Sequence, residues 1–202
     1  MHEVAAIVLA AGFARRFGSQ KLKYAVEING CIKPLILHAL LPWLAVFKQV
    51  TVVINADSHA LQALVNRELN AEQAAKINWQ ICESAEDGMA ASLVCGIKAH
   101  ADASGWLIGL ADMPKVSVQV ISQVRDVISN RARNEKTLAA PYYHDLRGHP
   151  AGFSAHYFDE LTSLTGDAGA KHIMQREANF ITKIISADDG VLLDIDLLSD
   201  IK

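Results

Sequence analysis

Four stretches of this sequence carry charge, three of them together with glycine, in ways that suit phosphate chemistry. The first is LAAGFARRFGSQK, residues 9–21. Gly12 and Gly18 allow close backbone approach and open main-chain N–H groups to an anion. Arg15, Arg16, Lys21 and Lys23 put four cations within nine positions of a net-acidic chain. Such a cluster on a glycine loop can cradle a triphosphate; a surface turn with solvated arginines has the same composition. The glycine spacing fits neither a Walker loop nor a GxGxxG fingerprint.

The second stretch is LADMP, residues 110–114. A carboxylate directly after a buried strand stands at the carboxyl end of a sheet, where open α/β sheets bind ligands. Asp112 there suits Mg²⁺, which favours one or two carboxylates plus substrate phosphates; the plainer role is a turn or cap. In the third, ESAEDGMAASLVCGI at 83–97, Gly88 lets a loop run close to a ligand. Ser92 offers a hydroxyl near a helix start whose N–H groups favour anions. Asp87, Ser92 and Met89 also fit as helix-start and core residues. The fourth, DLRGHPAGFS at 145–154, has Arg147 and His149 flanking a glycine, and GDAGAK at 166–171 sets Asp167 and Gly169 before a helix start. The other seven histidines show no metal-ligand spacing. Cys31, Cys82 and Cys95 are scattered with no CxxC, as buried or free thiols of a reducing cytoplasm would be.

These segments need elements to hold them. The run 4–11 reads as a strand buried on both faces. A helix is expected over 34–47, broken or kinked at Pro42. Strands are expected at 50–54, 78–82, 106–110, 137–140, 151–153, 181–185 and 191–195. Helices are expected at 58–69, 89–101, 117–130 and 167–178, with a short one at the C-terminus. The stretch 142–150 reads as a functional loop. This alternation argues for a layered α/β domain around a mainly parallel sheet.

The chain has 202 residues, enough for one substantial domain. At 51% hydrophobic and 20% charged it is globular rather than disordered. A net charge of −3 argues against a nucleic-acid partner. No apolar stretch approaches the ~18–20 residues of a membrane span, and the N-terminus lacks a basic signal-peptide region. The expectation is a cytoplasmic protein with neither membrane nor nucleic acid as partner.

Taken together, the motifs resemble those of the MobA-like nucleotidyltransferases, and most closely the molybdenum cofactor cytidylyltransferases. The family pattern LAAG-x3-R-[MF]-G-x2-K is met by Leu9, Ala10, Ala11, Gly12, Arg16, Phe17, Gly18 and Lys21. GMAASL (88–93), LADMP, RGHPAGF and GDAGAK follow in the family's order. The resemblance implies a single domain over 1–202 with the three-layer, Rossmann-like nucleotide-diphospho-sugar transferase fold and a mainly parallel mixed sheet. It implies transfer of CMP from CTP to the phosphate of molybdopterin, releasing pyrophosphate with Mg²⁺ as cofactor. Asp112 would hold the metal with Asp194 or Asp196, while Arg16 and Lys21 neutralise the triphosphate. Leu9 and the backbone of Ala10, Ala11 and Gly12 would meet base and ribose, and Gly88 and Ser92 would line the same site. His149 and Gly152, in the 147–153 loop, and Asp167 would face the acceptor.

A phosphate monoester is largely dianionic at neutral pH, so such an enzyme needs no protein base. It needs cations and positioning. Relatives that use GTP carry LAGG where this chain has LAAG, and the Ala11 methyl trims space beside the base, favouring CTP. The C-terminal motif departs from the family's DIDTPEDL: Asp194, Ile195 and Asp196 run into LLSD. The segment after Lys21 is likewise less typical of the family, with Pro34 restoring the register. Two other readings stay open. One is transfer to another phosphorylated acceptor, such as a sugar phosphate; the other is a non-catalytic nucleotide-binding chaperone for a molybdoenzyme. A molybdoenzyme or its chaperone is a candidate partner in either case.

Overall fold

The computed structural model of the chain describes residues 3–12, 21–133 and 135–196. The apolar run near the N-terminus forms β1 (Val4–Leu9), and a hairpin follows as β2 (Ala25–Ile28) and β3 (Cys31–Pro34). Next come α1 (Leu35–Val46), β4 (Val50–Ile54), α2 (His59–Glu68), α3 (Ala71–Ala75) and β5 (Ile77–Ile81). The second half comprises α4 (Met89–Lys98), β6 (Gly105–Leu110), α5 (Val118–Ser129), β7 (Leu138–Tyr143), β8 (Leu146–Arg147) and β9 (Ala151–Ser154). It closes with α6 (Phe158–Thr162), α7 (Lys171–Arg176) and β10 (Ile181–Ile185).

One mixed, mostly parallel sheet runs in the order β10-β7-β9-β6-β1-β4-β5, with β8 paired to β7. β1 lies parallel to β4 and β6, β4 to β5, and β10 to β7. β9 is antiparallel to both β6 and β7. Side chains alternate across this sheet because successive residues of a strand point to opposite faces. Ala6 and Val8 pack with Leu37 and Leu40 of α1 and Val120 and Val124 of α5. Ile7 joins Leu93 and Ile97 of α4 and Leu161 of α6 on the other face. Helices therefore cover both faces, giving three layers. Each fully buried Leu or Ile contributes about 1.5–3 kcal/mol, which is why the continuous apolar strands settle in the middle. At Gly109 of β6, the Trp43 ring of α1 lies where any Cβ would stand.

Several expectations need correction. Helix α1 runs uninterrupted across Pro42, held by burial of Leu35, Ile36, Leu40, Trp43 and Leu44. The stretch 142–150 is not a plain loop: β7 and β8 form a hairpin over it, with Tyr142 opposite Arg147. The strand expected at 191–195 is absent. Residues 189–191 form a 3₁₀ turn instead, and the polar groups nearby bond to loops: Val191 O accepts from His149 N at 2.9 Å, and Ile195 N donates to Asp112 O at 3.1 Å. The helix expected over 167–178 shortens to α7, because Gly166 and Gly169 both take positive φ. The expected C-terminal helix falls outside the described residues. The β2–β3 hairpin was not foreseen, although its Asn29-Gly30 turn, with φ of 53° and 74°, carries the usual sequence signal for a tight hairpin.

Candidate active site

Parallel strands β1, β4 and β6 end together, and the loops leaving them meet at one place. The backbone of the first loop is fixed from both sides: Ala10 N donates to Val53 O at 2.8 Å, and Ala111 N to Leu9 O at 3.0 Å. Asn55, just beyond β4, donates through Nδ2 to Ala11 O at 3.2 Å. Sequence reasoning missed Asn55; a polar side chain directly after a buried strand was the available signal. Together these loops border a cleft of about 450 Å³ lined by Leu9, Ala10, Ala11, Gly12, Lys21, Gly88, Ser92, Asp112 and Asp167, among others. Nine of the residues singled out from sequence thus converge. Glu86 and Asp87 line the cleft as well.

Lys21 is the charge centre. Its ammonium donates to Asp112 Oδ2 at 2.8 Å and Asp196 Oδ1 at 2.9 Å. The Lys21 side chain is 7% exposed, Asp112 27% and Asp196 52%. Burial alone would lower the lysine pKa, but hydrogen bonds and charge from Asp112 and then Asp196 outweigh it, so the net shift is upward. Partial desolvation raises the pKa of Asp194, and Asp196 and Asp112 push the same way, against its own backbone and Lys21. The three acidic positions therefore lie within one another's field. Among the described residues no group of three or more His, Cys, Asp or Glu side chains is already arranged as a metal cage. Two carboxylates gathered round one buried cation do fit an ion that draws its remaining ligands from phosphates and water.

Gly88 opens α4 with a φ of 113°, a backbone region that side chains rarely enter. A Cβ here would overlap Asp167 Oδ1 and stand 2.7 Å from Gly166 O. The same Gly166 carbonyl accepts from Ala90 N at 3.0 Å, tying the 166–167 turn to the first turn of α4. Ser92, 5% exposed, follows one turn later.

Two expected residues lie elsewhere. Gly152 sits inside β9, opposite Leu107 and Ala139. A Cβ there would meet Val124 and Ile128 of α5 at 2.9 Å; its smallness serves sheet–helix packing, not the cleft. His149 does not line the cleft, though Asp112 is near enough to influence its ring. Arg16, with Arg15 and Gly18, lies outside the described residues.

A lysine and two carboxylates at the carboxyl end of a mixed α/β sheet, beside a glycine loop leaving the first strand, define the architecture of a nucleotide-handling transferase. The chain belongs to the family of the MobA-like NTP transferase domain, whose model matches residues 6–180. No curated protein matches the sequence. Rv0371c from Mycobacterium tuberculosis H37Rv, in a complex with manganese, shares 22% identity at a TM-score of 0.72, over 98% of this chain and 95% of that one. A nucleotidyl transferase from Methanothermobacter superposes with a TM-score of 0.76 at 16% identity, over 99% and 94%. CMP:2-keto-3-deoxy-manno-octonic acid synthetase, complexed with CTP, gives 0.69 at 11% identity, over 98% and 94%. These likenesses establish the fold. No helix among the described residues is long and apolar enough to cross a membrane.

Proposed function

We propose that this chain, acting as one transferase domain, moves CMP from CTP to the terminal phosphate of a molybdopterin-type acceptor. An oxygen of the acceptor phosphate attacks the α-phosphorus of CTP. A new P–O bond forms, the bond to the β-phosphate oxygen breaks, and pyrophosphate leaves with the electron pair. The observation that carries this reading is the Lys21–Asp112–Asp196 cluster beside the Ala10–Gly12 backbone.

Asp112, with Asp196 and the nearby Asp194, would hold Mg²⁺, which when bound offsets charge on the triphosphate and the leaving pyrophosphate. Lys21 then turns from these carboxylates toward phosphate oxygens. Before it turns, those carboxylates hold its pKa above the usual lysine value. The backbone groups of Ala10, Ala11 and Gly12 meet base and ribose, Gly88 and Ser92 lie opposite them, and Asp167 borders the acceptor side. Arg16 shares neutralisation of the triphosphate. The order LAAG, family membership and a CTP-bound neighbour of the same fold support CTP.

Pyrophosphate release from CTP with Mg²⁺ and molybdopterin tests the proposal. Turnover supports it. Turnover only with another phosphorylated acceptor, such as a sugar phosphate, replaces the acceptor and keeps the reaction class. Tight CTP binding without turnover on any acceptor replaces catalysis with a chaperone role beside a molybdoenzyme.

A further inference from the structure

Behind the α4 wall of the cleft lie two sulfurs that the transferase reading does not use. Cys82 follows the last residue of β5, and its N–H continues the ladder by donating to Ile54 O at 2.8 Å. Cys95 stands near the end of α4, one residue before Gly96. Gly96 lets that helix sit low on the sheet: a Cβ there would stand 2.8 Å from Ile7 Cγ2 and 3.1 Å from Val53 Cγ2. The Cys95 thiol donates to Ile81 O at 3.6 Å, the carbonyl of the peptide unit that leads into Cys82. A trans peptide sets that oxygen and the Cys82 Cα on the same side of the C–N bond, so the Cys95 sulfur stands beside Cys82 itself. The two thiols hydrogen-bond to each other, and both pack with Ala85 and Leu93.

The two differ in access. Cys82 is 2% exposed, with Ser84 Oγ 3.7 Å from its sulfur, whereas Cys95 is half-buried. Cys95 meets Ile81 at the edge of the sheet, where β5 is the last strand and Ile81 is 43% exposed. Burial raises the Cys95 pKa, and the Cys82 thiol adds to this by charge and hydrogen bonding, against Gln80. The thiolate is the nucleophile, so exchange at Cys95 is slow at neutral pH, yet its partner is already in place. Between the two cysteines the chain supplies Ala85, Glu86, Asp87, Gly88, Met89 and Ser92 to the cleft wall. Cys31, on β3, is exposed and free.

We propose that Cys82 and Cys95 are a redox modification site whose reversible disulfide staples this wall. The oxidant is a low-molecular-weight disulfide. The Cys95 thiolate attacks one of its sulfurs, forming a mixed disulfide and releasing the first thiolate with the electron pair of the broken S–S bond. The Cys82 sulfur, giving up its proton, then attacks the Cys95 sulfur and expels the second thiolate. One small disulfide is reduced to two thiols, which take up the two protons, and the cysteine pair is oxidised. The new bond closes a short loop, so it restricts the unfolded chain and holds the cleft wall to the end of β5. None of this depends on which nucleotide or acceptor the cleft takes.

The test incubates the reduced 202-residue chain with oxidised glutathione over hours, alkylates the remaining thiols and maps every cysteine by mass spectrometry. Exposed Cys31 should carry a glutathione adduct, which shows that the oxidant has acted. The peptides holding Cys82 and Cys95 should be joined and lighter by about 2 Da, and dithiothreitol should restore both thiols. Oxidised wild type should melt about 5 °C or more above reduced wild type. Cys82→Ala and Cys95→Ala, each checked for folding by its reduced melt, should lose this difference. A glutathione adduct that stays on Cys95 overturns the proposal, as does alkylation of both Cys82 and Cys95 in protein whose Cys31 is modified. A disulfide that leaves the melting temperature unchanged, or lowers it, overturns the staple.

Discussion

Lys21 and Asp112 are bound to each other, so their removal has different consequences. Asp112→Ala leaves Lys21 bonded to Asp196 and should fold normally, while turnover falls about 10²-fold or more, as expected when a charge-positioning group leaves a phosphoryl-transfer site. Normal kcat in a well-folded Asp112→Ala protein would rule out its metal role. Lys21→Met removes the ammonium and leaves the Asp112 and Asp196 carboxylates in one another's field. The melting temperature should drop, and Mn²⁺ or Mg²⁺ without nucleotide should restore more of it than the same ion adds to wild type. Equal metal-induced shifts in the two proteins would contradict this. Ala11, 1% exposed, is part of the core on the α4 face as well as of the cleft wall. Ala11→Gly should therefore relax base choice only modestly, by about 10–200-fold at most in the CTP/GTP ratio of kcat/KM. A ratio that stays fixed or moves toward CTP removes the steric account.

At the level of elements, the site depends on how closely helices seat against the sheet. Trp43 of α1 lies on Gly109 of β6, three residues before Asp112. Gly109→Ala forces the indole to shift and should cost about 1–3 kcal/mol by overpacking, read as a lower urea midpoint with an unchanged slope. A stability equal to wild type would mean that the ring has room to spare. Helix α5 is set by a local device: Ser117 accepts from Val120 N at 3.2 Å at its start. The edges are legible from such signals, and the strands whose apolar runs are buried on both faces are legible from composition alone.

Across the whole molecule, α6, α7 and the start of β7 are joined by one ionic network. Arg176 binds Glu160 and Glu177, and Lys136 Nζ reaches Glu177 at 2.7 Å. The hydrogen bond from Arg176 holds the Glu160 pKa below its usual 4.5, and that from Lys136 does the same for Glu177. Carboxyls depressed in the folded state stabilise it at pH values above 4.5 and lose that contribution as pH falls through their folded pKa values. Arg176→Met should thus melt below wild type at neutral pH, with the gap closing in acid. A gap that persists or widens in acid would show that Arg176 acts through packing of its stem instead.

The sequence by itself determined the layered α/β class, because strands buried on both faces must be continuously apolar, and it marked the chemistry-bearing loops through their glycines and charges. It also put Asp112 at a strand end, since the apolar run 106–110 stops there. Tertiary structure decided the rest. Lys21 meets Asp112 and Asp196 from 91 and 175 positions away, a convergence no local spacing encodes. Gly152 looked like part of a ligand loop, but α5 packs against it. Residues 191–195 looked like a strand from their apolar pattern, yet Val191 O and Ile195 N bond to His149 and Asp112 and form no ladder. Periodicity reports which side chains must be buried; only the packed chain decides which backbone groups pair and which charges share a cleft.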